Sequence, residues 1–204
     1  ARVGVEVPVV AVRADSGWTT LEALAAGAKQ LGKPLRVGVS GLGSFTHLVS
    51  AALFSKIGVP VVYVPYGEGR APAELLASRV DVAIQWPSQF HSHVRNGTLA
   101  LVCTTGDEKL ATEDNVPTCA EAGAEGMNIT MWRGLVAPAG TPPEVIGKLE
   151  EIAKKAVESE TFQKTAVNLG FTPAYLPAQE FGDLIAKDDV TIGALMTELG
   201  MNNK

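Results

Sequence analysis

The stretch RVGVSGLGSFTHLVSAALF, residues 36–54, decides the fold. Its β-branched opening reads as a strand over 36–39 and its glycines as a tight turn. The apolar continuation reads as a helix over 46–56, with His47 in the first turn. A strand, a glycine turn and a helix in that order leave backbone N–H groups free at the turn. The positive end of the helix dipole points there too, so the layout builds an anion cup. The same alternation extends outward. Residues 59–64, 80–84 and 99–104 read as further strands, with helices over 71–78 and 87–96. This is a βαβ pattern, and it predicts an α/β fold with a mainly parallel sheet.

Upstream, residues 5–12 read as one buried strand interrupted by Pro8, a residue suited to a strand edge or crossing point. Ser16 is the expected cap of a helix over 19–31. Downstream, the composition changes after about residue 105. A polar connection over 106–123, with a short helix at 119–123, leads to a strand over 129–136 that carries Trp132. Helices are expected over 144–158, capped by Thr141, and over 160–169 and 178–199, with one short strand inside FTPAYLP. These tail helices lack a matching set of strands, so they are expected to pack on a sheet made elsewhere.

With 204 residues the chain can form one large domain or two smaller lobes. A hydrophobic share of 46% against 19% charged residues suits a soluble α/β protein. The net charge of −5 argues against a non-specific nucleic-acid partner, since no basic stripe neutralises phosphates. It leaves room for a small anion held by local backbone donors. Apolar runs stop well short of the roughly 18 residues that span a bilayer, so no membrane insertion is expected. The opening ARVGVEVPVVAV already sits in a strand-like pattern without a signal peptide, which reads as a mature piece or a fragment. Cys103 and Cys119 lack metal-ligand spacing and read as small buried residues, with one disulfide open to them in an oxidising compartment.

The turn departs from three known signatures. A dinucleotide fingerprint needs a third glycine where Thr46 stands, and no acidic residue closes the next strand. A P-loop needs a lysine where Ser44 follows Gly43. A nucleophile elbow needs glycine at position 42, which is Leu42, although Asp81 and His91 or His93 would supply the chain order of a hydrolase. What remains is a hydroxyl-rich cup of Ser40, Gly41, Gly43, Ser44 and Thr46 that suits a carboxylate. The plainer reading is that Ser44 only caps the helix and the glycines only turn the chain. His47 either steadies the loop or donates to a ligand, the former being preferred. His91 and His93 are two apart, so on a helix they diverge and would not share a metal. Tyr66, Trp86 and Trp132 end strand patterns, where α/β clefts open, and read either as cleft walls or as core. The pairs Glu121/Glu125 and Asp188/Asp189 read as solvated. No catalytic set assembles, and no cofactor or metal is expected.

Four segments carry a resemblance: VGVSGLGSFTHL, VYVPYGEGRAPAELLASRVDVAI, VPTCAEAG and MWRGLVAPAGTPPEVIGKLEEIAKKAV. In order and spacing, over about residues 8–200, the chain resembles the substrate-binding proteins of tripartite tricarboxylate transporters, the Bug family. The resemblance implies a type II periplasmic-binding-protein fold of two α/β lobes closing on a ligand. Residues 11–128 would form the second lobe. Residues 1–10 and 129–204 would form a hinge strand and the returning part of the first lobe, which is incomplete because the family's opening half-lobe, with its Pro-Gly-Gly-type loop, is missing. The implied function is a periplasmic receptor that captures a small organic carboxylate and delivers it to membrane transporter subunits. The implied ligand-binding residues are Ser40, Gly41, Gly43, Ser44 and His47, with Tyr66, Gln85, Trp86 and Trp132 facing the cleft. Gln85-Trp86 departs from the commoner acidic or amide pattern, and its bulk tilts the expected ligand toward an aromatic or less polar acid. The rival readings are a serine-dependent hydrolase using Ser40 or Ser44, a ligand-sensing receptor that contacts a signalling partner, and a folded fragment without binding function.

Overall fold

Pro8 divides the N-terminal strand pattern in two. The computed structural model describes residues 1–67, 69–107, 109–110 and 115–201. In it, β1 (Arg2–Glu6) and β2 (Val9–Arg13) belong to different sheets. The chain forms two units, Ala1–Glu6 with Met131–Lys204, and Val7–Thr130.

The Val7–Thr130 unit is built on five strands. They are β2, β3 (Leu35–Val39), β4 (Val61–Pro65), β5 (Val82–Gln85) and β6 (Leu99–Thr104), in the order β4-β3-β5-β2-β6. β3 pairs parallel with β4 and with β5, while β2 pairs antiparallel with β5 and with β6. Four strands therefore run one way and β2 opposes them, which makes the sheet mixed where a mainly parallel one is expected. The reason lies in connectivity. β2 is not the product of a βαβ crossover, so no helix sets its direction. It enters between β5 and β6 from the end at which those two strands finish, with Val9 opposite both Gln85 and Thr104. Val9 to Val12 are all fully buried, which is why the run is continuously apolar rather than alternating.

Helices cover this sheet. α1 (Leu21–Leu31) buries Leu21, Leu24 and Ala28 at helical spacing, and each fully buried leucine contributes about 1.5–3 kcal/mol. Its cap is Thr20, whose hydroxyl accepts from the Ala23 N–H, rather than Ser16, which accepts from Trp18 N–H in the preceding 3-10 turn Ala14–Ser16. α2 (Phe45–Lys56) follows β3, and α3 (Ala71–Leu76) follows β4. The helix expected over 87–96 is broken into a 3-10 turn, Pro87–Gln89, and α4 (His91–Arg95).

Of the polar connection over 106–123, residues 108 and 111–114 lie outside the described residues. Residues 119–123 form turns rather than a helix. Thr118 and Glu121 cap each other: Glu121 N–H donates to the Thr118 hydroxyl, and Thr118 N–H to the Glu121 carboxylate. Glu121 is thus engaged, not merely solvated. Backbone bonds from Thr104 N to Pro117 O and from Cys119 N to Thr104 O lay this segment along β6. That pairing brings the Cα atoms of Cys103 and Cys119 to 4.9 Å, and the two buried residues form a disulfide. Sequence spacing carries no sign of this, because the approach is made by the β6 edge.

The other unit contains a three-stranded antiparallel sheet, β7 (Met131–Gly134), β1 and β8 (Thr172–Leu176), with β1 in the centre. α5 (Pro143–Glu158), α6 (Glu160–Leu169) and α7 (Ala178–Glu198) supply its buried Ala153, Val157, Ala166 and Phe181. The tail helices thus do pack on strands drawn from distant parts of the chain. Pro142 occupies the α5 cap position, and Thr141 instead donates its hydroxyl to Pro138 O. A Cβ at Gly134 would meet the Phe181 ring, so glycine is what lets that ring lie on β7.

Reducing the Cys103–Cys119 disulfide opens a loop whose ends are 16 residues apart. The expected cost is about 3 kcal/mol of folding stability, read as a lower urea midpoint with reductant than without it.

Candidate functional site

Because β4, β3 and β5 are parallel neighbours, their carboxyl ends emerge on one edge of the five-stranded sheet. In open α/β sheets this is the edge at which ligands bind. Ser40 to Ser44 leave β3 there, Tyr66 leaves β4, and Gln85 and Trp86 end β5.

One hydroxyl organises the turn after β3. Thr46 Oγ1, on the first turn of α2 and only 2% exposed, accepts from Ser40 N at 3.0 Å and lies 3.1 Å from Ser44 Oγ. Ser44 caps α2 by accepting from His47 N. Gln85, fully buried at the end of β5, donates its amide to Ser40 Oγ at 2.8 Å and ties two strand ends together. Gly43 takes φ +79°, a left-handed turn that favours glycine, and its N–H donates to His47 Nδ1 at 3.0 Å. Gly41 has open space around it and no left-handed φ, so nothing steric requires glycine there.

The bookkeeping of protons then defines what the cup can hold. Among the described residues, the N–H groups of Gly41, Leu42, Phe45 and Thr46 have no acceptor in the chain. Ser40 Oγ already accepts, so its own hydrogen is free to donate. Of the Ser44 and Thr46 hydroxyls one donates to the other, which leaves one more hydrogen free. Unused donors at a helix N-terminus, with no lysine or arginine side chain bonded to them among the described residues, suit an anion stabilised by dipoles rather than by a counter-charge.

His47 steadies this loop. Its Nδ1 must be unprotonated to accept from Gly43, its ring meets Tyr63 edge-on at 4.3 Å, and burial lowers its pKa below the ordinary 6.5. Tyr66 lies against Gly38, where a Cβ would collide with the phenol. Its hydroxyl is buried with no hydrogen-bond partner among the described residues, and burial, then the charge of Glu74, pushes its pKa up. Trp86 is half-buried and near-parallel to Phe45, with centroids 6.2 Å apart and planes at 11°.

Ser40, Gly41, Gly43, Ser44, His47, Tyr66, Gln85 and Trp86 are thus brought to one edge. Trp132 belongs to the other unit, where it packs edge-on against Phe181 and donates its indole N–H to Asp188 at 2.8 Å. Asp188 is therefore an indole acceptor and not a solvated carboxylate. Thr46, Gly38 and Phe45 are structurally as important as the residues singled out in the sequence. Only Thr46 carried a signal, as a hydroxyl in the first turn of the helix.

The parts of a hydrolase are committed elsewhere. Asp81 pairs with Arg36, His47 Nδ1 accepts from Gly43, and His93 Nδ1 lies 3.3 Å from Thr98 Oγ1. His91 Nε2 is buried with no hydrogen-bond partner among the described residues. Among the described residues neither cup serine hydroxyl bonds a histidine ring, and no group of three or more histidine, cysteine or acidic side chains could hold a metal.

These features define an α/β binding module with an anion-receptive edge. Over residues 3–201 the chain matches the family model described as tripartite tricarboxylate transporter family receptor, and it belongs to that family. The family is one of receptors and not of enzymes. A Cupriavidus necator protein, "UPF0065 protein in gbd 5'region", is 30% identical over 191 residues, 93% of this chain and 58% of its own length. The chain thus spans less than two thirds of that curated relative. A TctC solute-binding protein from Polaromonas superposes with a TM-score of 0.81 at 28% identity, over 97% of this chain and 68% of that one. The solved structure of an R. palustris protein, Rpa4515 with adipate, superposes with a TM-score of 0.83 over 98% of this chain and 67% of that one. At 24% identity it shows the shared fold alone.

Thr46→Val keeps the shape of the side chain but removes the acceptor for Ser40 N–H. It should cost about 1–3 kcal/mol in urea unfolding and expose the Ser40 amide to hydrogen exchange. For His47, the lowered pKa means that the unfolded chain binds a proton that the folded chain lacks. Its contribution to stability is full above pH 6.5 and is lost as pH falls through the lowered value. An NMR titration should place the ring below 6.5, and His47→Gln should flatten the decline in urea midpoint over that window.

Proposed function

We propose that this chain is the gripping part of a periplasmic solute receptor that captures a small organic carboxylate and delivers it to a tripartite tricarboxylate-type membrane transporter. The observation that carries the reading is the proton inventory of the cup: free donors, acceptors already used, and a helix dipole aimed at the turn. A carboxylate needs several donors in a small space and no metal, and this edge offers that chemistry. Membership of the receptor family supports it, as does a relative of the same fold with a dicarboxylate, adipate, in its structure.

In this reading the Val7–Thr130 unit is the second lobe and the other unit is part of the first. Ser40, Ser44 and the backbone N–H of Gly41 hold the carboxylate, Gly43 turns the chain around it with its N–H on His47, and His47 and Gln85 keep the cup in shape. Tyr66 and Trp86 wall the carbon skeleton. Among the described residues no helix is long and apolar enough to cross a membrane.

Calorimetric titration with benzoate, malate, adipate and citrate tests the reading: at least one should bind, and no heat from any of them would sink it. Ser44→Ala should weaken the best ligand by about 1–2 kcal/mol. Unchanged affinity, in a variant whose helix content matches the parent, would remove Ser44 from the site.

A further inference from the structure

The cup has an apolar neighbour on each side of its hydrogen bonds. Phe45 directly follows the capping Ser44, and Trp86 directly follows Gln85, whose amide holds Ser40. The two rings thus stand next in sequence to residues that shape the cup. They lie near-parallel at 6.2 Å, and both remain partly open to solvent. At the tip of the turn Leu42 is 66% exposed, an apolar side chain with no packing reason to be there.

Charge points the same way. Arg36 is bound to Asp81, and Arg70 and Arg79 are bound to Glu74. Among the described residues, no lysine or arginine side chain donates to a group of the cup. Neutral donors can satisfy one carboxylate. A second carboxylate set against Phe45 and Trp86 would lose water and gain no counter-charge, which is costly. A flat apolar body placed there would instead bury its surface against the rings.

We propose that the receptor takes an aryl or similarly flat apolar carboxylate in preference to a small polyanion, with one carboxylate in the cup and the apolar body against Phe45 and Trp86. This rests on the reading of the cup as a carboxylate site and adds the class of acid to it.

The test is calorimetry on the unaltered chain with benzoate, adipate and citrate, repeated on Trp86→Ala and Trp86→Phe. Benzoate should bind at least about tenfold more tightly than either polyacid, and Trp86→Ala should lose about tenfold for benzoate. Trp86→Phe, which keeps a ring, should stay within about threefold of the parent. Adipate or citrate binding as tightly as benzoate would overturn the preference while leaving the carboxylate reading intact. So would benzoate affinity unchanged in a folded Trp86→Ala. No binding of any of the three overturns both. Should Trp86→Ala fail to fold, the ranking of the three acids on the unaltered chain decides alone.

Discussion

The acceptor on Thr46 is the constraint on which the rest of the cup depends. A chain leaving a buried strand and entering a helix must dispose of several backbone N–H groups within a few residues. Here the Thr46 hydroxyl takes the one from Ser40, and Ser44 takes the one from His47. With those two satisfied locally, the turn's remaining donors have no acceptor among the described residues. Had Ser40 N–H been left free, the loop would have had reason to fold back and close the cup on itself. Gln85 finishes the arrangement from the next strand, so that the loop is fixed by β5 as well as by its own helix.

A site of this kind works without formal charge. Dipoles and hydroxyls stabilise an anion less strongly than an arginine does in isolation, but they are aligned in advance and carry no desolvation penalty for a buried cation. The overall charge of −5 then ceases to be an obstacle, since the relevant field is that of the first turn of α2 and its loop. The aromatic pair beside the cup fits the same economy. Phe45 and Trp86 stack near-parallel beside residues of the cup, and a less polar surrounding makes a neutral donor count for more.

Much of the frame is legible in the residues. The strand-turn-helix of 36–54 is visible from β-branched, glycine and apolar periodicity, because each of those preferences acts within a few residues. α6, β6 and the short strand in FTPAYLP follow for the same reason. Where the structure departs from those local preferences, a competing local partner or a distant segment decides. Ser16 and Thr20 are both good caps, and only the position of Trp18 and the start of α1 selects Thr20. Thr141 resembles a cap but spends its hydroxyl on Pro138 O. Asp188 looks solvated until Trp132 is brought across 56 residues to meet it.

What the sequence by itself determined is the set of groups available at the turn: hydroxyls and glycines without the lysine of a P-loop, the third glycine of a dinucleotide fingerprint or the elbow glycine of a hydrolase, which leaves a candidate anion cup. Tertiary structure alone decided which groups would meet it. β2 is reversed and inserted between β5 and β6, Cys103 and Cys119 are paired, and Gln85 is bonded to Ser40 across 45 residues of chain. The physical reason is that propensity and capping are local energies, whereas strand order and the partners of a buried polar group are set by which distant surfaces close the core.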